Sequence, residues 1–260
     1  MQELDPTEWA VVTGAGQGIG RAIALAIAAR GCRVLAMGRT GSKLDATARA
    51  ARGAEIRPAA LDIQDERAVA DALAQAEATW GAPPRYLVNA AGVLSPSRLL
   101  DTAPEALRDT IGINLTATLI LTQIVARRMA AAGRGAIVTI GSNSGGTART
   151  ALGAYPAAKA GLTHAMRCLG LELAGHGVRC NVVSPGSTDT PMQRGFQSDT
   201  SSLERVISGD PNQWRLGIPL GRMADAQDVA ELTVFLLSDR ARHITMENIV
   251  IDGGATLGAG

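Results

Sequence analysis

The feature that most constrains this chain lies near its start. Residues 9–13 read Trp-Ala-Val-Val-Thr, and Gly14-Ala15-Gly16-Gln17-Gly18-Ile19-Gly20 follows at once. A stretch then begins in which Ile19, Ile23 and Ile27 recur on one helical face. A short apolar run without polar alternation suits a strand buried on both faces, which requires a sheet covered by helices above and below. The glycines let the backbone turn sharply and lie close to whatever sits beside it. Strand, glycine turn and helix therefore form a unit that the rest of the chain should repeat.

The rest of the chain does repeat it. Strand-like runs stand at 32–38, 55–61, 86–89, 136–141, 179–184 and 249–252. Helical patterns lie between them at 41–52, 65–80, 104–131, 155–175 and 225–238. Seven strands alternating with helices predict an α/β fold, a Rossmann-type doubly wound parallel sheet of about seven strands. The 260 residues contain no linker, repeat or charge block, so a single domain is expected. With three Trp, two Tyr and two Phe, the core must be aliphatic.

Charge and cysteine content exclude several roles. Twenty-five Lys+Arg against 24 Asp+Glu leave a formal charge of +1 with no basic stripe, which argues against nucleic acid and anionic membrane as partners. The acidic start, MQELDPTEWA, does not read as a secretory signal, and no run of ~18 apolar residues is evident. Cys32, Cys168 and Cys180 form no CxxC, and Cys168 and Cys180 fall in patterns expected for core thiols. His164, His176 and His243 are too scattered for a metal site. The expectation is a cytoplasmic, metal-free protein.

In doubly wound sheets, ligands bind beyond the carboxyl ends of the strands. After the first strand the strict GxGxxG spacing does not fit, whereas TGxxxGxG does, through Gly14, Gly18 and Gly20. Such a turn, with Gln17 and Ile19 inside it, can hold a pyrophosphate at the helix N-terminus; on this feature alone a ligand-free glycine loop reads the same. After the second strand, Arg39 stands where a carboxylate would hold the ribose of NAD. A cation there suits a 2′-phosphate, so NADP is favoured and NAD remains open. Asp62, after the third strand, can accept a hydrogen bond from an adenine amino group or simply cap a helix. Asn89, Ala90 and Gly92 end the fourth strand in a small-residue turn beside the cofactor.

Tyr155 and Lys159 are four apart on one helix face, with Pro156 requiring that the helix begin close to Tyr155. A phenol of pKa ~10 is a poor base near neutrality, and a nearby ammonium favours its ionised form. The spacing thus makes a usable acid/base from tyrosine, although a surface pair has the same spacing. Ser142 ends the fifth strand, where its hydroxyl can bind a substrate oxygen. Asn114, polar within a helix, can hold a water that relays protons to Lys159.

Taken together, TGxxxGxG, NAAG, Asn114, Ser142, Tyr155-x-x-x-Lys159 and Pro185-Gly186 resemble the short-chain dehydrogenase/reductase family over nearly the whole chain. The resemblance implies a Ser-Tyr-Lys centre with an assisting Asn, and homodimers or homotetramers built on the long helices. It also implies that Pro185, Gly186, Thr188 and Thr190 flank the nicotinamide, with Tyr155 and Lys159 also touching the cofactor. The segments GSTDTPMQR and HIT…IVIDGG…TLGA further resemble the branch of the family that acts on 2,3-dihydro-2,3-dihydroxybenzoate in catechol-siderophore synthesis. That branch implies a small-molecule substrate, a cyclohexadiene carboxylic acid whose ring alcohol is oxidised to give an aromatic product. The related conversion of 2,3-dihydro-3-hydroxyanthranilate in secondary metabolism is an equal candidate.

A substrate carboxylate needs a cation, and Arg149 and Arg194 are the candidates, with Gln193 a neutral donor and Met192 lining the pocket. Polar residues around 191–216 are expected to form a substrate lid, with Trp214 helping to close it. Two departures from the siderophore branch stand out. Gly38-Arg39 replaces its acidic residue, and Ser95-Pro96-Ser97 replaces an arginine after NAAG. The rival readings are an NADPH-dependent carbonyl or 3-oxoacyl reductase and a non-catalytic dinucleotide sensor. A serine hydrolase is disfavoured by the absence of GxSxG.

Overall fold

A computed structural model describes residues 4–52, 54–195 and 200–258. In chain order the elements are β1 (Trp9–Thr13), α1 (Gly18–Ala28), β2 (Arg33–Gly38), α2 (Gly41–Ala50), β3 (Ile56–Ala60), α3 (Glu66–Trp80) and β4 (Tyr86–Asn89). They continue with α4 (Pro104–Ile111), α5 (Thr118–Ala131), β5 (Gly135–Ile140), α6 (Tyr155–Ala174), β6 (Val178–Pro185), β7 (Thr188–Asp189) and α7 (Pro191–Arg194). Then come α8 (Thr200–Ser208), β8 (Ala224–Asp225), α9 (Ala226–Leu237) and β9 (Asn248–Ile251).

Seven strands form one parallel sheet in the order β3-β2-β1-β4-β5-β6-β9, as the alternation predicts. The strand order reverses between β1 and β4, and a crevice opens there at the carboxyl edge. Alternate residues of β1 feed two cores. Ala10 and Val12 pack with Ile23 and Ile27 of α1, Leu44 of α2 and Val234 of α9. Trp9 and Val11 pack with Leu73 of α3, Leu121 of α5 and Leu162 of α6 on the other face. Full burial of each such large aliphatic side chain contributes roughly 1.5–3 kcal/mol.

Four details differ from the sequence reading. The helix expected over 104–131 is interrupted by a π-helical stretch, Gly112–Ala117, with Asn114 inside it. The whole run Pro104–Ala131 is also long and apolar enough, by length and composition, to cross a bilayer, with a mean hydropathy of 1.3 in its most apolar window. Its packing against β4, β5, α3 and α6 accounts for that apolarity. Cys168 is exposed rather than buried, because the inward face of α6 is set by Leu162, Met166, Gly170 and Leu173. Within the polar 195–215 stretch lies the helix α8, where Leu203, Val206 and Ile207 share a face.

Candidate active site

The turn after β1 forms one wall of a cleft at the carboxyl edge of the sheet. Gly14 and Gly18 have positive φ (67° and 54°), which a side chain would strain. Close packing excludes a side chain at Gly20 as well, because a Cβ there would come 2.4 Å from the carbonyl oxygen of Gly14. Across the switch point, the Thr13 hydroxyl accepts the N–H groups of both Ala90 and Ala91 at 3.0 Å. This ties the ends of β1 and β4 together. Gln17 is the N-cap of α1 yet makes no side-chain cap bond, so the first N–H groups of the helix are left for an outside acceptor.

Above this turn lies a cavity of about 270 Å³ lined by Gly14, Gln17, Gly18, Ile19, Arg39, Lys43, Asp62 and the Ala90–Gly92 turn. Lys43 donates to Gln17 Oε1 at 2.6 Å. Arg39 is exposed and makes no ion pair among the described residues, and no carboxylate stands at the end of β2. One oxygen of Asp62 accepts the Gln64 N–H at 3.0 Å, closing the turn before α3. Asn89 is placed elsewhere. Its amide donates to Thr122 and Thr139 in the interior, with its Oδ1 unpartnered, and it lines neither cavity. It holds β4 to α5 and β5, while Ala90–Gly92 form the wall.

The reactive groups converge where β5 meets α6. Tyr155 and Pro156 open α6, as the proline requires. The Tyr155 phenol is hydrogen-bonded to Ser142, and burial pushes it up to about 12 against that hydrogen bond. Ser142 also shares a 2.9 Å bond with the Ser144 hydroxyl, a partner that sequence reasoning did not single out. Lys159 is 4% exposed. Its Nζ donates to the Ile140 carbonyl at 2.8 Å and lies 5.6 Å from the Tyr155 ring centroid. Burial draws its ammonium down to about 8. Near neutrality the resting pair is therefore a neutral phenol beside an ammonium.

Asn114 reaches this group from the π-helical stretch. Its Nδ2 donates to the carbonyls of Val93 (2.8 Å) and Thr110 (2.9 Å), and its Oδ1 accepts the Val93 N–H at 3.2 Å. The side chain thus clamps the segment leaving β4, with both Nδ2 hydrogens spent and one donor held by Oδ1.

A second cavity, of about 420 Å³, opens beside Tyr155 and Ser142 and is also lined by Pro96, Arg149, Pro185, Gly186, Thr188 and Thr190. Ile19, Thr190 and Met192 border both cavities. The Thr190 hydroxyl accepts the Gln193 N–H at 3.2 Å and so caps α7. Gln193, Arg205, Arg215 and Leu216 add to the wall.

The family profile described as enoyl-(acyl carrier protein) reductase matches residues 14–256. The chain is 40% identical over 253 residues to the 2,3-dihydro-2,3-dihydroxybenzoate dehydrogenase of Bacillus subtilis (strain 168), covering 96% of each chain. It is 36% identical over 248 residues to the D-erythrulose reductase of Gallus gallus, covering 94% of each. A short-chain type dehydrogenase/reductase from Mycobacterium marinum superposes with a TM-score of 0.85 at 30% identity, over 96% of this chain and 95% of that one. The chain belongs to the short-chain dehydrogenase/reductase family.

Members of the short-chain dehydrogenase/reductase family use NAD(P), and the uncapped α1 N-terminus with its glycine cradle fits that group. Of the predicted residues, Ser142, Tyr155, Arg149, Met192, Gln193, Pro185, Gly186, Thr188 and Thr190 meet at the larger cavity, with Lys159 beneath Tyr155 and Asn114 beyond it. Arg194 does not join them. It is exposed and held by Asp189 through two bonds of 2.7 and 2.8 Å, so its charge is already matched. Trp214 is 86% exposed and outside the cavity wall. Within the stretch expected as a lid, residues 196–199 lie outside the described residues. Sequence reasoning missed Arg215, which sits in a polar segment without any motif to mark it.

Proposed function

We propose that this oxidoreductase removes hydrogen from a ring CH–OH of a cyclohexadiene carboxylic acid, of the 2,3-dihydro-2,3-dihydroxybenzoate or 2,3-dihydro-3-hydroxyanthranilate type, to give an aromatic product. The observation that carries this reading is the 420 Å³ cavity, which has Tyr155 and Ser142 as reactive groups and Arg149 as a cation on the same wall. The 40% identity to a dehydrogenase named for such a substrate supports it.

When bound, the oxidised nicotinamide supplies the hydride acceptor. Gly14, Gly18, Ile19 and Gly20 would hold its phosphates, Asp62 its adenine, and Thr188 and Thr190 its nicotinamide end. Tyr155, as phenolate, takes the proton of the reacting hydroxyl while hydride leaves the same carbon. Ser142 donates to the reacting oxygen and keeps it in line with the phenol. Lys159 favours the phenolate by its charge and would bind the nicotinamide ribose. The resulting ring ketone shifts one ring proton to oxygen and becomes a phenol. The described residues 191–195 and 200–216 act as a lid, and the chain assembles as a homodimer or homotetramer, for which exposed Leu107 on α4 and Leu171 on α6 offer apolar contacts.

NADP is the cofactor favoured by Arg39 and Lys43, which border the ribose end of the smaller cavity with no carboxylate at the β2 end. The same observation favours a second reading, an NADPH-dependent carbonyl reductase, in keeping with the 36% identity to D-erythrulose reductase. The deciding experiment supplies each dihydro acid with NAD or NADP and follows reduced nicotinamide and aromatic product. Turnover of either acid supports the first reading. Turnover of small ketones or an acetoacetyl thioester alone supports the second.

A further inference from the structure

We propose that Arg149 and Arg215 form a carboxylate-recognition site in the larger cavity, and that Arg215 sets the preference for an acid over its neutral analogue. This rests on the proposed cyclohexadiene acid substrate and deepens it by assigning the atoms that read the acid group.

Both arginines line the same cavity as Tyr155 and Ser142. Arg149 comes from the loop between β5 and α6, Arg215 from the segment after α8. Their donors are largely unspent. Arg149 makes one long hydrogen bond, 3.4 Å, to the Ala255 carbonyl. Arg215 has a buried Nε with no hydrogen-bond partner and forms no ion pair among the described residues. Arg194 differs, because its guanidinium is pinned to Asp189.

The charges point the same way. Burial and the positive charge of Arg149 both weaken the hold of Arg215 on its proton, and Asp210 opposes them. Asp210 is itself buried, and its side chain accepts the Asn212 N–H at 3.0 Å. The backbones of Asp210 and Arg215 are joined by N–H···O bonds in both directions, of 2.9 and 3.0 Å, which fixes where the guanidinium starts. Arg149, Arg205 and Arg215 against Asp210 leave the cavity wall positively charged. A carboxylate between the guanidiniums of Arg149 and Arg215 would relieve their repulsion and occupy the idle donors.

The test compares wild type, Arg215→Gln, Arg215→Lys and Arg149→Gln. Steady-state rates are measured on the dihydro acid and its primary carboxamide, and 2,3-dihydroxybenzoate and 2,3-dihydroxybenzamide are titrated calorimetrically into each NAD(P)-loaded protein. The wild type should bind the acid at least tenfold more tightly than the amide. Loss of a charged hydrogen bond at Arg215→Gln should raise KM for the acid roughly 10–100-fold and erase the acid preference, with NAD(P) affinity unchanged. Arg215→Lys should restore part of the preference, and Arg149→Gln should reduce it. An acid preference kept within twofold in both glutamine variants would overturn the proposal, as would a wild type that binds acid and amide equally. If the wild type turns over neither dihydro acid, the substrate reading fails. The calorimetric arm still decides whether this arginine pair reads a carboxylate. Should Arg215→Gln fail to fold, Arg149→Gln and Arg215→Lys carry the same comparison.

Discussion

Gly92 and Asn114 are fitted so closely that a Cβ on the glycine would stand 2.7 Å from the Asn114 amide oxygen. That oxygen is the acceptor for the Val93 N–H, so the segment leaving β4 is clamped only while position 92 has no side chain. Gly92→Ala should therefore cost about 1–3 kcal/mol in stability by overpacking. In an Asn114→Ala background the same change should cost less, because the clash is gone. Thermal or denaturant unfolding of the four proteins of this double-mutant cycle checks it.

Removing the Tyr155 hydroxyl should abolish proton transfer and leave binding in place. Tyr155→Phe should lower kcat by ~10²–10⁴-fold with little change in cofactor affinity. A near-wild-type kcat would take the acid/base role from Tyr155, and a biological activity left untouched by Tyr155→Phe would return the dinucleotide-sensor reading.

The pH profile follows from the same residue. Burial holds the phenol at about 12 in the free protein, so the phenolate needed for oxidation is scarce near neutrality. Oxidation should rise with pH by up to ~10-fold per unit below the pKa that governs the complex, whereas reduction of a simple ketone, which needs the phenol protonated, should not rise. Initial rates of dihydro acid oxidation and of ketone reduction across a pH series measure this.

Lys159 predicts a stability effect with a definite sign. Its ammonium is drawn down from 10.5 to about 8 on folding. Below about pH 8 the folded and unfolded chains both hold the proton, and the folded one carries a buried charge. Between 8 and 10.5 the folded chain gives it up first, so the contribution of this group to stability rises with pH. The melting temperature of Lys159→Met relative to wild type should thus be highest near pH 7 and fall as the pH approaches 10. The carbonyl of Ile140, orphaned by the substitution, adds a cost that does not vary with pH.

Cofactor choice is tested at the β2 end. Arg39→Ala should raise KM for NADP by roughly 10-fold or more through loss of a charged hydrogen bond, and leave KM for NAD nearly unchanged. Equal effects on both would assign Arg39 no part in reading the ribose.

Much of the architecture was legible because it follows from period and punctuation. Strands such as β1, β2 and β5 are short, largely apolar runs, α1 has its apolar stripe, and the glycines at 14, 18 and 20 mark a turn that tolerates no side chains. Tyr155 and Lys159 were legible for the same reason, since four residues on a helix bring them to one face. What escaped depends on contacts made at long range. Nothing in the residues 112–117 distinguishes an i→i+5 turn from an α-helical one, so the break that carries Asn114 was invisible. Arg194 looked available until Asp189, five residues earlier, was seen to hold it. Arg215 gained its place only through the fold of a polar segment, and Asn89 was assigned to the cleft though its side chain points into the interior.

Ile19, Thr190 and Met192 stand on the boundary of both cavities, and Thr190 also caps the short helix α7. The two compartments are thus not independent rooms. A molecule seated against Thr190 on one side forms part of the wall met by a guest on the other, so filling either cavity should change the affinity of the second, by the same factor in both directions.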